Sequence, residues 1–188
     1  MAKAHFVKKA RKDNPAVQKG EPYYWWSFRF GGKHFSATPP RRSQLTSSPF
    51  LSQLYGIEEE LEEARGLGTE ADLEQLVEEI VALIDGLMEE TETSLSNMPD
   101  NLQQGPTGEL LQERIDGLEA WKDELEAVDL TIVEIALEEE ARGEVEEGIT
   151  GEEEPGEVEA SIQNLWNQKI EEEAQEKLME LQNTSSNL

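Results

Sequence analysis

After residue 47 the apolar residues recur at intervals of three and four, the spacing that lines up one face of a helix. Ser47, Ser48 and Pro49 make a cap followed by a first-turn proline, and Leu51, Leu54, Tyr55 or Ile57, Leu61 and Ala64 carry the stripe to the stop at Gly66 and Gly68. Thr69 with Asp72 three residues on has the form of a capping box, and Leu73, Leu76, Val77, Ile80, Leu83, Ile84, Leu87 and Met88 extend a second helix to the break at Ser94 to Pro99. A third helix, capped by Thr107, holds Leu111, Leu118, Leu125 and Ile132 seven apart with Trp121, Val128 and Ile135 between them, and is predicted to run to Arg142-Gly143. Val158, Ile162, Leu165, Trp166, Ile170, Ala174, Leu178 and Leu181 mark a final helix over residues 156–182, after which residues 183–188 should fray.

Ahead of residue 47 the period changes to two. Tyr23 to Thr38 reads YYWWSFRFGGKHFSAT, an aromatic-rich pair of strands split by Gly31-Gly32, which predicts a tight two-residue hairpin turn. Pairing Phe30 with Lys33 sets Phe28 opposite Phe35 and Trp26 opposite Ala37, so that Tyr24, Trp26, Phe28, Phe30 and Phe35 share an apolar face. Tyr23, Trp25, Ser27, Arg29, His34 and Ser36 then share the other. A lone hairpin is marginal in water, so helices or a third strand over residues 4–7 must cover the apolar face. The class that follows is α+β, mostly α: a small N-terminal antiparallel hairpin or three-stranded sheet, then an acidic helical bundle with coiled-coil-like packing.

Charge divides the chain at the same place. The first 50 residues carry ten Lys/Arg against two acids, and the remaining 138 carry six against forty, within an overall net charge of -26. All five Phe also lie before residue 51. The expected organisation is a basic aromatic head at 1–47, an acidic helical body at 48–142, a mobile acidic linker at 143–155 and a C-terminal helix at 156–188. The linker assignment rests on eleven Glu and four glycines between residues 138 and 159. No cysteine is present, and the two histidines, His5 and His34, stand far apart in sequence, which argues against a zinc site. There is no Asp-x-Asp calcium loop, phosphate-cradling glycine loop or Ser/His pair in a familiar setting, so neither a cofactor nor a catalysed reaction is expected. No stretch approaches the ~20 apolar residues that cross a bilayer, and the chain reads as a cytoplasmic protein with no membrane partner.

Two surfaces are candidates for function. In the head, Tyr23 and Trp25 are placed to stack on bases or sugars while Lys8, Lys9, Arg11, Lys12, Arg29, Arg41 and Arg42 meet phosphates. In the body, no Lys or Arg occurs from Gly66 to Glu113 and residues 70–92 hold nine acids. That is one negative charge per roughly 4 Å of helix at ~1.5 Å rise per residue, against one per ~3.4 Å along a DNA strand. Glu74, Glu78, Glu79 and Asp85 are therefore candidates for a DNA-mimicking surface that engages or blocks a host nucleic-acid-binding protein. A continuous exposed stripe at phosphate spacing would mark mimicry, whereas scattered carboxylates would mark a solvated face. The heptads of the third helix supply a further expectation, a structural or assembly role in which chains join as homo-oligomers.

The stretches NMPDNLQQGPTGELLQERIDGLEAWKDELE (residues 97–126) and YYWWSFRFGGKHFSATPPRRSQLT (residues 23–46) resemble a group of functionally uncharacterised tailed-bacteriophage proteins. FRFGGKHFSATPP is also similar to the small three-stranded arm-binding domains of phage integrases. The first resemblance implies a phage origin and a non-enzymatic role inside an infected bacterial cell, and it supplies no ligand and no catalytic residues.

Overall fold

The structure, a computed structural model, describes residues 1–148 and 155–185. Its elements are β1 (His5–Val7), β2 (Tyr23–Ser27), β3 (Lys33–Ser36), α1 (Pro49–Glu63), α2 (Glu70–Ser96), α3 (Asp100–Gln103), α4 (Pro106–Glu126), α5 (Glu134–Gly148) and α6 (Pro155–Asn183), with a 3-10 turn at Arg42–Leu45. The class is α+β and mostly α, with the antiparallel sheet first. The chain forms two compact units, Met1–Glu62 and Glu63–Leu188. The change of composition at residue 47 thus comes one helix before the structural boundary.

Side-chain anchors explain why α1 stays with the first unit. The Arg42 guanidinium lies 3.7 Å from the Tyr55 ring centroid and pairs with Glu58 at 2.8 Å. Ser43 donates to Glu59 from its N–H at 2.8 Å and from its hydroxyl at 2.6 Å, and the Ser52 hydroxyl donates to the Ser43 carbonyl at 2.9 Å. The 3-10 turn is therefore bound to the helix that follows it. Leu54, Tyr55, Ile57 and Leu61 are the buried residues of α1.

In the sheet, the third strand that the hairpin needs is β1, and β2 lies between β1 and β3. His5, Phe6 and Val7 stand opposite Trp25, Tyr24 and Tyr23, while Tyr24, Trp25, Trp26 and Ser27 stand opposite Ser36, Phe35, His34 and Lys33. This register differs from the predicted one by an odd number of residues, and so β3 presents its other face. Phe35 lies beside Trp25 and His34 beside Trp26, the reverse of the expectation. The turn differs too. Gly31 donates to the Phe28 carbonyl at 3.2 Å, closing a turn with Arg29 and Phe30 at its corners, and neither Gly31 nor Gly32 is among the positive-φ glycines. Cross-strand rings give the observed register its advantage: Trp26 stacks on His34 at 5.5 Å and 14°, and Phe28 meets the edge of His34 at 5.4 Å. Pairing Trp26 with Ala37 would forfeit both.

The second unit consists of α2 packed on α4 and α5 packed on α6, with α2 also meeting α6. Thr69 and Asp72 form the predicted capping box, with Asp72 N–H to Thr69 Oγ1 and Thr69 N–H to Asp72 Oδ2 both at 3.2 Å. From there the stripe Leu73, Ile80, Ile84 and Leu87 is buried, and Ile115, Leu118, Trp121 and Leu125 are the apolar residues that α4 buries. Each such side chain contributes about 1.5–3 kcal/mol by leaving water. The N-cap of α4 is Gly105 with Pro106 at its first turn, so Thr107 lies inside the helix and is not its cap. Gly108 lets α4 approach the end of α3, since a Cβ there would stand 1.9 Å from the Gln103 carbonyl oxygen.

The predicted long third helix is two helices. It stops at Glu126, because Val128, Thr131, Ile132 and Val133 are β-branched and Asp129 offers its carboxylate to a backbone donor, the Thr131 N–H at 3.1 Å. Ile132 N–H donates to Glu70 Oε2 at 2.9 Å, which ties this loop to the start of α2. The heptad spacing from Leu125 to Ile132 therefore spans a loop, which removes the basis for a long chain-joining coiled coil. Residues 143–148 of the expected linker belong to α5, where Arg142 pairs with Glu138 at 3.5 Å and Glu159 at 3.6 Å, and Lys169 with Glu140 at 3.1 Å and Glu144 at 2.8 Å. These cations offset the repulsion that the composition implied. The rest of that linker, residues 149–154, and the last expected fraying positions, residues 186–188, lie outside the described residues. Among the described residues no helix is long and apolar enough to cross a membrane.

Candidate nucleic-acid interface

Strand alternation sorts the sheet side chains into two sets. His5, Val7, Tyr23, Trp25, Ser27, Lys33 and Phe35 share one face; Phe6, Tyr24, Trp26, His34 and Ser36 share the other. On the second face Trp26 is the buried ring, 5% exposed, and its indole N–H has no acceptor among the described residues. On the first face no residue is fully buried: Tyr23, Trp25 and Phe35 are half-buried, and His5 and Lys33 are exposed. The two predicted stacking residues, Trp25 and Tyr23, both lie on this face, which has no fully buried side chain.

Trp25 is the centre of a ring cluster. His5 stacks on it at 4.5 Å with the planes 16° apart, and Lys33 Nζ lies 4.7 Å from its centroid. Tyr23 and Phe35 form a tilted pair at 6.0 Å beside it. His5, Lys33 and Phe35 were not among the residues expected to meet a ligand, and Phe35 was expected on the apolar face. Phe35 and His34 were exchanged by the wrong register, and nothing in the spacing of residues 5 and 25 announces that β1 pairs with β2.

The cationic residues divide by position. Lys8, Lys9, Arg11 and Lys12 are exposed on the connection between β1 and β2, together with Lys19. This connection is tied by its own backbone: Ala10 N–H donates to the Glu21 carbonyl at 2.8 Å and Gly20 N–H to the Ala10 carbonyl at 2.9 Å. Asn14 Oδ1 accepts from the N–H groups of Ala16 and Val17, Asp13 accepts from the Lys19 N–H at 2.7 Å, and Gly20 turns at φ +102°. Arg29 sits in the loop beyond β2, over Phe30 at 5.2 Å, and not on the strand face expected for it. Phe30 itself is 93% exposed rather than part of the apolar face. Arg41 is the N-cap of the 3-10 turn, and Arg42 is committed to Tyr55 and Glu58.

The acidic candidates on α2 do not form a uniform row. Glu74, Glu78 and Glu79 are exposed, but Glu79 accepts from Gln75 Nε2 at 2.8 Å and lies about 100° around the helix from Glu78. Asp85 is half-buried and paired with Lys122 of α4 at 2.8 Å, a contact that holds the ammonium above the ordinary lysine range. No carboxylate lies between Glu79 and Asp85, a gap of about 9 Å along the axis against ~3.4 Å for a DNA strand. No cluster of three or more potential ligands among the described residues could hold a metal ion. No protein-family model matches the chain, and neither do the curated proteins or the solved structures.

Proposed function

We propose that this chain is a non-enzymatic interaction protein of phage type, working in the cytoplasm of an infected bacterial cell, and that it takes nucleic acid on the open face of its sheet. The observation that carries the reading is the ring cluster His5, Trp25, Tyr23 and Phe35, left half-open beside Lys33 on a strand face that a soluble protein would ordinarily cover. Rings without a preferred base edge and exposed ammonium groups suit a ligand with flat bases and a phosphate backbone. The cationic connection at residues 8–19 supplies the charge, and its internal hydrogen bonds reduce the entropy lost on binding.

A second reading puts the partner on α2, as a host nucleic-acid-binding protein blocked by acidic mimicry. It draws support from the exposed Glu74, Glu78 and Glu79 on a helix without Lys or Arg. It ranks lower because Asp85 is engaged by Lys122 and the row is interrupted. Capture from bacterial lysate with and without nuclease separates the two. Nucleic acid that is retained and then lost to nuclease supports the sheet face; a protein retained after nuclease, with no nucleic acid bound, supports α2.

A further inference from the structure

Trp25 already has a group on each side. His5 reaches it from β1 and Lys33 from β3, and these strands flank β2 on opposite edges, so the two groups approach the indole from opposite directions. They are not equally hard to displace. The imidazole is a near-parallel ring at 4.5 Å, whereas Lys33 is an exposed ammonium on a flexible stem. An exposed cation–π contact is worth about 2- to 5-fold in an equilibrium, and a base stacked on an aromatic side chain about 5- to 150-fold. A base outcompetes the ammonium for that side of the ring. The ammonium, once displaced, remains beside a ligand whose phosphates attract it.

We infer that the Lys33 side of Trp25 is a seat for one unpaired nucleotide base, backed by His5 and closed in the free protein by Lys33. The ligand class is single-stranded nucleic acid, because the bases of a duplex are stacked on one another and present only their edges in the grooves. This rests on the reading that the sheet face takes nucleic acid and narrows it. Lys33 then has two roles: it covers the indole in the free protein and neutralises a phosphate in the bound one.

The test titrates the full chain with an oligothymidylate, an abasic strand of the same length and a duplex, following affinity and tryptophan fluorescence. The thymidylate should bind about 5- to 150-fold more tightly than the abasic strand and quench fluorescence, with the duplex weaker than the thymidylate. Trp25→Ala should erase the preference for bases, and Trp25→Phe should restore it without the quench. Lys33→Ala should keep the preference while lowering the salt slope by about 0.7, one phosphate's share on a single strand. Equal binding of thymidylate and abasic strand, or a preference that survives Trp25→Ala, overturns the seat and leaves nucleic-acid binding standing. Failure of all three probes to bind overturns both.

Discussion

Small residues decide local geometry here in opposite directions. Alanine is better than glycine inside a helix by about 1 kcal/mol, so a glycine in open surroundings is a missed stabilisation. Gly86 on α2 is such a site, with nothing among the described residues within 4 Å of an added Cβ, and Gly86→Ala should raise stability by about 0.5–1 kcal/mol. At Gly108 the same change drives a methyl to 1.9 Å from a backbone oxygen, and the clash outweighs propensity. Gly108→Ala should cost about 1–3 kcal/mol, and urea unfolding of the two variants side by side checks both signs. Sequence could not separate these glycines, because the difference lies in the approach of α3 to α4. The same limit applied to Trp25. Its place on the face opposite the buried Trp26 was legible from period-two alternation, but the His5 and Lys33 that cover it were not.

At the level of elements, local signals were legible where the capping and the periodicity agreed. α2 is the clearest case, from the Thr69 cap to the end of its buried stripe. Thr69→Ala should cost about 1 kcal/mol in an equilibrium melt through loss of the cap. The Thr69 hydroxyl, followed by the Gly68 and Thr69 N–H groups, donates to Asp72 and holds its carboxyl below its ordinary value of 3.8. Because the folded value is the lower one, Asp72's contribution is complete above 3.8 and is lost as pH falls through the depressed folded value. Asp72→Asn should therefore be less stable than the parent near neutrality, with the gap closing in strong acid; a gap that persists at the lowest pH contradicts this. Ile80→Asp, in the fully buried middle of the stripe, should cost about 3 kcal/mol or more, read from a circular dichroism melt. Elements failed to be legible where a spacing was shared by a loop. Ile132 keeps the heptad distance from Leu125 and is buried, yet the chain between them is held by Asp129 and Glu70 instead of helix bonds. The hairpin register was missed for a related reason: Gly31-Gly32 marks a turn, but the cross-strand rings choose which turn.

For the whole molecule, the periodicity carried the fold class and the composition carried the separation of charge, while the boundary lies one helix later because Arg42 and Ser43 bind α1 to the sheet-bearing unit. A chain of net charge -26 repels nucleic acid as a whole, but charges farther from the ligand than about 8 Å are largely screened at physiological ionic strength. Cations that touch the strand then set how affinity depends on salt. The most direct measurement is the affinity of the full chain for a single-stranded oligonucleotide between about 50 and 200 mM salt, repeated with Lys8, Lys9, Arg11 and Lys12 all changed to Gln. If these cations meet the strand, log affinity falls linearly with log salt concentration and the variant's slope is shallower by up to about 3, at ~0.7 for each phosphate no longer neutralised. No binding at the lowest salt, or the same slope in both proteins, would contradict it.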